Sequence, residues 1–239
     1  MCPPELRVTD RRFERFDMSI TESPSIAARV AELQAGLGDH LPAEVAATFA
    51  GEQTRLDQAG IPAGVAGAGA MVPDGDLLDA RGIPTSLADQ RHGRPAVVVF
   101  YRGAWCPYCN LALRAYQEQL VPTLAERGIE LIAVSPQKPD GSLSMAETNE
   151  LTFTVVSDPG NQIAAALGIL TAPTEDARGA QRTLGVDLAE INADGSYGIP
   201  MPTVLILDRD GVIRWIDVHP NYTTRTESAD ILAALTVLG

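Results

Sequence analysis

Lysine is nearly missing from this 239-residue chain: of its 18 basic side chains all but Lys138 are arginine, a bias we take as compositional rather than functional. Those basic residues are dispersed and outnumbered by 31 acidic ones, for a net charge of -13, which argues against nucleic acid or an anionic membrane as a partner, since both need clustered cations. Cysteine is scarce too. Cys2, Cys106 and Cys109 cannot build an extracellular disulfide framework, so a reducing compartment is favoured, where a Cys-x-x-Cys pair is catalytic rather than structural. No apolar run is long enough to span a bilayer, and Met1 to Asp17 is charged with no apolar signal core; a cytoplasmic location is expected. His40, His92 and His219 lie far apart, and one Cys-x-x-Cys has too few ligands for a structural zinc, so no metal or other cofactor is expected. Asp208-Arg209-Asp210-Gly211 has part of a calcium loop's pattern but lacks its remaining ligands, and reads as a turn.

What the chain does have is a core and one dense stretch. With 45% apolar residues it can bury a full core, and one domain plus an appendage fits its length better than two equal domains. Val97 to Tyr101 is a short, unbroken β-branched and aromatic run, which suits a strand buried on both faces. Arg102-Gly103-Ala104 breaks it, and Leu111, Leu113, Tyr116, Leu120 and Leu124 then recur at roughly helical spacing. Cys106 and Cys109 therefore sit at a strand-to-helix junction, where unpaired N-H groups and the helix dipole stabilise a thiolate. Their spacing allows a short disulfide, and Pro107 suits a first helical turn because it loses no hydrogen bond there. A redox dithiol follows. Trp105 and Tyr108 flank it, either walling a site or serving as packing aromatics.

Along the chain, residues 1–20 read as a mobile tail with Cys2 as an incidental thiol. A helix is predicted from Ser25, capped by Ser23 or Ser25 and ended by Gly36 and Gly38; a second runs from Leu41 or Pro42 to Ala59. Gly60 to Met71 has no period and reads as a linker. From Val72 onward strand and helix signals alternate: a short strand near Asp76–Ala80, a capped turn at Thr85–Asp89, the central strand, the dithiol helix as far as Gly128, a strand over Ile129–Ser135, a loop and weak helix to Asn149, a strand at Phe153–Val156 and a helix over Ile163–Leu170. Thr171 to Tyr197 reads as a less regular insertion. A hairpin pairs Thr203–Leu207 with Val212–Ile216, and a last helix spans Glu227 to Val237.

Residues 73–239 resemble the thioredoxin superfamily, and within it the AhpC/TSA peroxiredoxin-like family with a Cys-Pro-x-Cys pair. The resemblance rests on Phe100 to Cys109, Ser135-Pro136-Gln137, Ser157 to Asn161, Met201-Pro202-Thr203, Asp208 to Gly211 and Pro220-Asn221-Tyr222-Thr223. It implies an α/β thioredoxin-like fold, a central mixed sheet flanked by helices, preceded by an N-terminal tail, helical extension and linker over residues 1–72. It also implies that Pro202 is a cis proline between Met201 and Thr203, facing the dithiol. Chemically it implies hydroperoxide reduction: a thiolate attacks the O-O bond, the sulfenic acid is captured by the partner cysteine, and thioredoxin or a similar thiol reductant restores the dithiol.

The chain also departs from the family pattern. Aligned on Pro-x-x-x-Thr-x-x-Cys, Cys109 takes the peroxidatic place, Cys106 replaces the threonine and Arg102 the proline. The arginine that polarises peroxide falls on Pro202, so Arg102 or another arginine must supply the cation. The buried acid of thioredoxins falls on Phe100. The thioredoxin register makes Cys106 the exposed nucleophile and the peroxiredoxin register makes it Cys109; the helix terminus favours Cys106. The leading expectation is a thiol peroxidase. Its alternatives are a thiol-disulfide oxidoreductase with little peroxidase activity and a non-catalytic redox sensor. Tyr222 reads as structural, and an exposed sheet edge with the N-terminal helices allows a homodimer.

Overall fold

The computed structural model describes residues 23–38 and 41–239; the expectations for the N-terminal tail, Cys2 and His40 fall outside the described residues. Apolar residues at helical spacing form α1 (Ile26–Gly38) and α2 (Ala43–Ala59). Ser25 Oγ accepts from Ala28 N at 3.1 Å, while the first free N-H groups of α1, on Ile26 and Ala27, donate to the Glu227 carboxylate, both at 2.8 Å. A carboxylate from the far end of the chain thus satisfies groups that a local cap would otherwise leave to water.

The segment after α2 is irregular, but it is more than a spacer. Ala66 N donates to Leu167 O, Gly69 N to Ile213 O and Val72 N to Gly211 O, tying it to the sheet side. Gly168, at φ +74°, allows that approach: a Cβ there would sit 2.5 Å from Gly64 O. Next come β1 (Leu77–Asp79), β2 (Pro84–Thr85), α3 (Leu87–Arg91), β3 (Ala96–Phe100), α4 (Pro107–Gln119) and α5 (Val121–Glu126). The dithiol helix therefore does not run unbroken to Gly128; it breaks at Leu120, because Pro122 opens a new helix and cannot donate into the old one. They are followed by β4 (Glu130–Ser135), α6 (Pro139–Thr148), β5 (Thr154–Ser157), α7 (Gln162–Ala166) and β6 (Leu170–Thr171). The expected irregular insertion holds two short helices, α8 (Glu175–Thr183) and α9 (Leu188–Ile191), capped by Thr174 and Asp187. The chain closes with β7 (Ile199–Pro200), β8 (Thr203–Leu207), β9 (Ile213–Val218), α10 (Ser228–Ala234) and a 3-10 turn (Leu235–Leu238).

Seven strands pair in the order β2-β1-β5-β4-β3-β8-β9. β3, β4 and β5 are parallel, while β8 joins β3 antiparallel, with Phe100 opposite Thr203, and β9 pairs antiparallel with β8. The sheet is mixed and flanked by helices, as a thioredoxin-like fold requires. β3 is buried on both faces: Val97, Val99 and Tyr101 pack with residues of α1, α4 and α10, and Ala96, Val98 and Phe100 with those of α3 and α7. α1 packs on α4, and α2 on α8. The buried Glu52 fixes the second contact, accepting from Arg55 Nη2 at 2.8 Å and from Thr174 Oγ1 at 3.1 Å. Among the described residues no helix is long and apolar enough to cross a membrane.

Candidate active site

β3 ends against the sheet centre, and the chain must turn there to start α4. Gly103 makes the turn at φ +143°, where a Cβ would fall 2.4 Å from Trp105 Nε1. Polar side chains brace the turn from both sides. Gln137 Oε1 accepts from Ala104 N at 2.8 Å, and its Nε2 donates to Tyr101 Oη at 3.1 Å. Asn110 Nδ2 donates to Ala104 O at 2.7 Å and to Cys106 O at 2.9 Å, and Asn149 Nδ2 in turn donates to Asn110 Oδ1. Cys106 is the N-cap of α4, at the positive end of the helix dipole, and Pro107 follows in its first turn, where it loses no hydrogen bond.

Two guanidinium groups converge on the sulfurs. Arg102 Nη1 donates to Cys106 Sγ at 3.8 Å; Arg225 Nη2, from the loop before α10, donates to Cys109 Sγ at 3.1 Å and Cys106 Sγ at 4.0 Å. Arg102 is held by aromatic faces, its Cζ 4.0 Å from the Tyr222 ring centroid and 4.7 Å from that of Trp105. Arg225 is held by backbone carbonyls, its Nη1 donating to Tyr222 O and Thr224 O.

Cys106 and Cys109 are free thiols, and both are buried, at 0% and 1% exposed; the expectation of an exposed Cys106 is corrected, because Arg102 and its aromatic neighbours cover it. Burial alone would raise the Cys106 pKa, but the hydrogen bond from Cys109 and the charges of Arg102 and Arg225 bring it well below the ordinary thiol value. Burial, together with the hydrogen bond to Cys106 and the charge on it, pushes Cys109 well up. Arg225 is nearer to Cys109, yet we place the thiolate on Cys106. Only Cys106 combines the helix N-cap with both guanidinium groups within 4.0 Å, leaving the Cys109 proton to bridge the sulfurs.

Arg102, Trp105, Cys106, Pro107 and Tyr108 share one cleft. Pro202 and Thr203 lie behind it, lining a small void with Cys109 and Arg225, and Met201 and Pro202 line another beside Arg102 and Tyr222. The Met201-Pro202 bond is trans, since no cis peptide occurs among the described residues, and this corrects the expected cis proline. The segment is already fixed: Met201 N donates to Ile169 O, and Pro202 O accepts from His219 N. Thr203 Oγ1 donates to Met201 O at 2.9 Å.

Sequence reasoning missed Arg225 altogether and read Tyr222 as structural. The signal was weak, because Arg225 lies 116 positions from Cys109 in an irregular loop. Among the described residues no group of His, Cys, Asp and Glu is arranged to hold a metal.

Fold and site define a thioredoxin-like protein with a Cys-Pro-Tyr-Cys pair opening the helix after the central strand. The chain belongs to the AhpC/TSA family, whose model matches residues 68–216. Over 100 residues it is 33% identical to MT2597 of Mycobacterium tuberculosis, named as a peroxiredoxin, covering 42% of this chain and 62% of that one. Over 107 residues it is also 33% identical to the thiol-disulfide oxidoreductase ResA of Geobacillus kaustophilus, covering 44% and 60%. The matches thus span less than two thirds of these relatives' length. The crystal structure of reduced Prx3 from Vibrio vulnificus superposes with a TM-score of 0.58 at 18% identity, covering 72% of this chain and 99% of that one, a likeness of fold.

Proposed function

We propose that this protein is a thiol peroxidase that reduces hydroperoxides through a Cys106–Cys109 dithiol cycle. The observation that carries the reading is the pair of guanidinium groups on the sulfurs: Arg102 at 3.8 Å from Cys106, and Arg225 at 3.1 Å from Cys109 and 4.0 Å from Cys106. They supply the cations that stabilise charge developing on peroxide oxygen, a role for which the chain has only Pro202 at the family's usual arginine position. The Cys106 thiolate attacks one peroxide oxygen and the O-O bond breaks; the other oxygen leaves, takes a proton and departs as water or alcohol. Cys106 is then a sulfenic acid. Cys109 attacks it, an S-S bond forms and water leaves, and a thioredoxin-like or other thiol reductant returns two electrons and two protons.

In this reading Arg102, Trp105, Pro107 and Tyr108 form the substrate side of the pocket, and Met201, Pro202 and Thr203 support its rear. Residues 73–239 are the catalytic unit and residues 1–72 an extension, of which α2 lines the cleft through Phe49, Ala50 and Gln53. A reducing, cytoplasmic setting suits a free dithiol, and a homodimer is compatible with the exposed sheet edge.

One observation favours a second reading, disulfide exchange: the likeness to a relative named thiol-disulfide oxidoreductase equals that to a relative named peroxiredoxin. Stopped-flow mixing of the reduced protein with hydroperoxide decides between them. Oxidation far faster than that of free cysteine is expected. Oxidation no faster, together with rapid reduction of a protein disulfide, would transfer the assignment to the second reading.

A further inference from the structure

Cys109 keeps its proton while Cys106 is a thiolate, yet it must give that proton up to close the disulfide. In the reduced protein Cys106 shares it; once Cys106 is oxidised, that acceptor is gone. Cys109 is buried, so solvent does not reach it directly. Arg225, at 3.1 Å, is a permanent cation with no site to accept a proton. The two nearby tyrosines are engaged: Tyr101 Oη accepts from Gln137 Nε2, and Tyr116 Oη donates to Thr226 O at 2.7 Å. Behind Cys109 is a void of about 10 Å³, the room that one water needs, and Thr203, His219, Arg225 and Thr226 are among its polar walls. Thr226 is buried, and its hydroxyl donates to Asp217 Oδ2 at 2.9 Å, a bond that runs one way because an ionised carboxylate only accepts. Among the described residues no donor reaches Thr226 Oγ1, so its lone pairs are free. Asp217 Oδ2 also meets His219 Nε2 at 3.0 Å, and the Asp217 side chain is 37% exposed, so this chain of polar groups ends in solvent.

We propose that Thr226 and Asp217 are the proton path of Cys109, reached through one water in the void; this rests on the Cys106–Cys109 dithiol cycle above, whatever oxidises Cys106. Cys109 Sγ gives its proton to the water, the water gives one to Thr226 Oγ1, and the hydroxyl's own proton moves to Asp217 Oδ2 and on to solvent. The Cys109 thiolate attacks the sulfenic sulfur of Cys106. The S-S bond forms, the S-O bond breaks, and the leaving hydroxide takes a proton from solvent on the cleft side. When a thiol reduces the disulfide, the same path returns a proton to Cys109. Two contacts hold the path in register: His219 orients the carboxylate through Nε2, and Tyr116 fixes the Thr226 backbone. Because the hydrogen bond with His219, followed by that from Thr226, keeps the Asp217 carboxyl below its usual range, a proton that arrives there passes on rather than staying.

The test separates the two sulfurs without peroxide. Dithiodipyridine releases one thiopyridone when Cys106 of the reduced full chain attacks it, and a second when Cys109 attacks the mixed disulfide. Thr226→Val removes the hydroxyl at nearly constant shape, and Asp217→Asn keeps an acceptor for Thr226 but no basic oxygen. In both, the second release should slow about 100-fold, the scale of a lost proton acceptor. The first release and the low pH inflection of Cys106 should stay as in the wild type, which shows that Arg225 has not moved. Thr226→Ser should recover the second release, and in the wild type only the second release should slow in deuterated water. A second release at the wild-type rate in both variants would overturn the path. So would equal slowing of both releases with a raised Cys106 inflection, which would leave Thr226 as a support for Arg225. Hydrogen peroxide is tried separately: if it oxidises the wild type no faster than free cysteine, the peroxidase reading falls, while the thiopyridone rates still decide the path.

Discussion

Arg225 Nη2 lies 3.1 Å from Cys109 Sγ, the sulfur that keeps its proton, and 4.0 Å from Cys106 Sγ, the one that ionises. The guanidinium therefore spans the dithiol. In the proposed cycle it meets the charge on either sulfur, and its two backbone carbonyl partners keep it in place.

The ionisation order sets a pH profile. Because the Cys106 pKa is lowered, its thiolate persists below the ordinary thiol range, and reactivity is lost only as pH falls through that depressed value. Alkylation by iodoacetamide should show this low inflection in Cys109→Ser and lose it in Cys106→Ser. A sulfenic acid trap should label Cys109→Ser after peroxide treatment; labelling confined to Cys106→Ser would reverse the roles.

Replacing Arg225 by methionine should raise the Cys106 inflection and slow peroxide oxidation by about 100-fold, the usual scale for losing one electrostatic donor. Arg225→Lys should recover part of the rate, since the charge returns without the fork that spans both sulfurs. A Met variant with a wild-type pH profile would remove Arg225 from the site chemistry.

Gly103→Ala places a Cβ 2.4 Å from Trp105 Nε1 at a backbone φ of +143°. Strain of this kind costs on the order of 2 kcal/mol, and urea denaturation should show that loss. The displaced turn should also raise the Cys106 inflection, because Arg102, Trp105 and Cys106 all depend on it.

Asp217 accepts from Thr226 Oγ1 at 2.9 Å and lies 3.0 Å from His219 Nε2, and so holds both ends of the loop that carries Arg225. The hydrogen bond with His219, followed by that from Thr226, keeps its carboxyl below the usual carboxylate value despite burial. A depressed folded pKa contributes stability above the unfolded pKa, and that contribution is lost as pH falls through the folded one. Asp217→Asn should thus be less stable than wild type at neutral pH and converge with it in acid. The gap should be about 1 kcal/mol, because the side chain remains 37% exposed.

Glu227→Ala removes the carboxylate that accepts from Ile26 N and Ala27 N. We expect a loss of about 1 kcal/mol and faster hydrogen exchange over the first turn of α1, with the exchange of β3 unchanged.

The sequence alone determined the frame. An unbroken β-branched run at Val97–Val99 suits a strand buried on both faces, and a proline between two cysteines after a glycine turn suits a first helical turn, so the central strand and the start of the dithiol helix were legible residue by residue. Local pattern also set the hairpin of β8 and β9, since Asp208 and Gly211 make the turn wherever it is placed. Tertiary structure decided what surrounds the sulfurs. Arg225 meets Cys109 across 116 positions, Glu227 caps a helix 201 positions away, and Met201-Pro202 is trans. These contacts follow from the packing of β8, β9 and the last loop against α4, and a periodicity records only which face a residue turns, never which partner waits there. The dithiol of Cys106 and Cys109 was therefore readable as chemistry and Arg102 as its candidate cation, while the second cation, Arg225, came only from the fold.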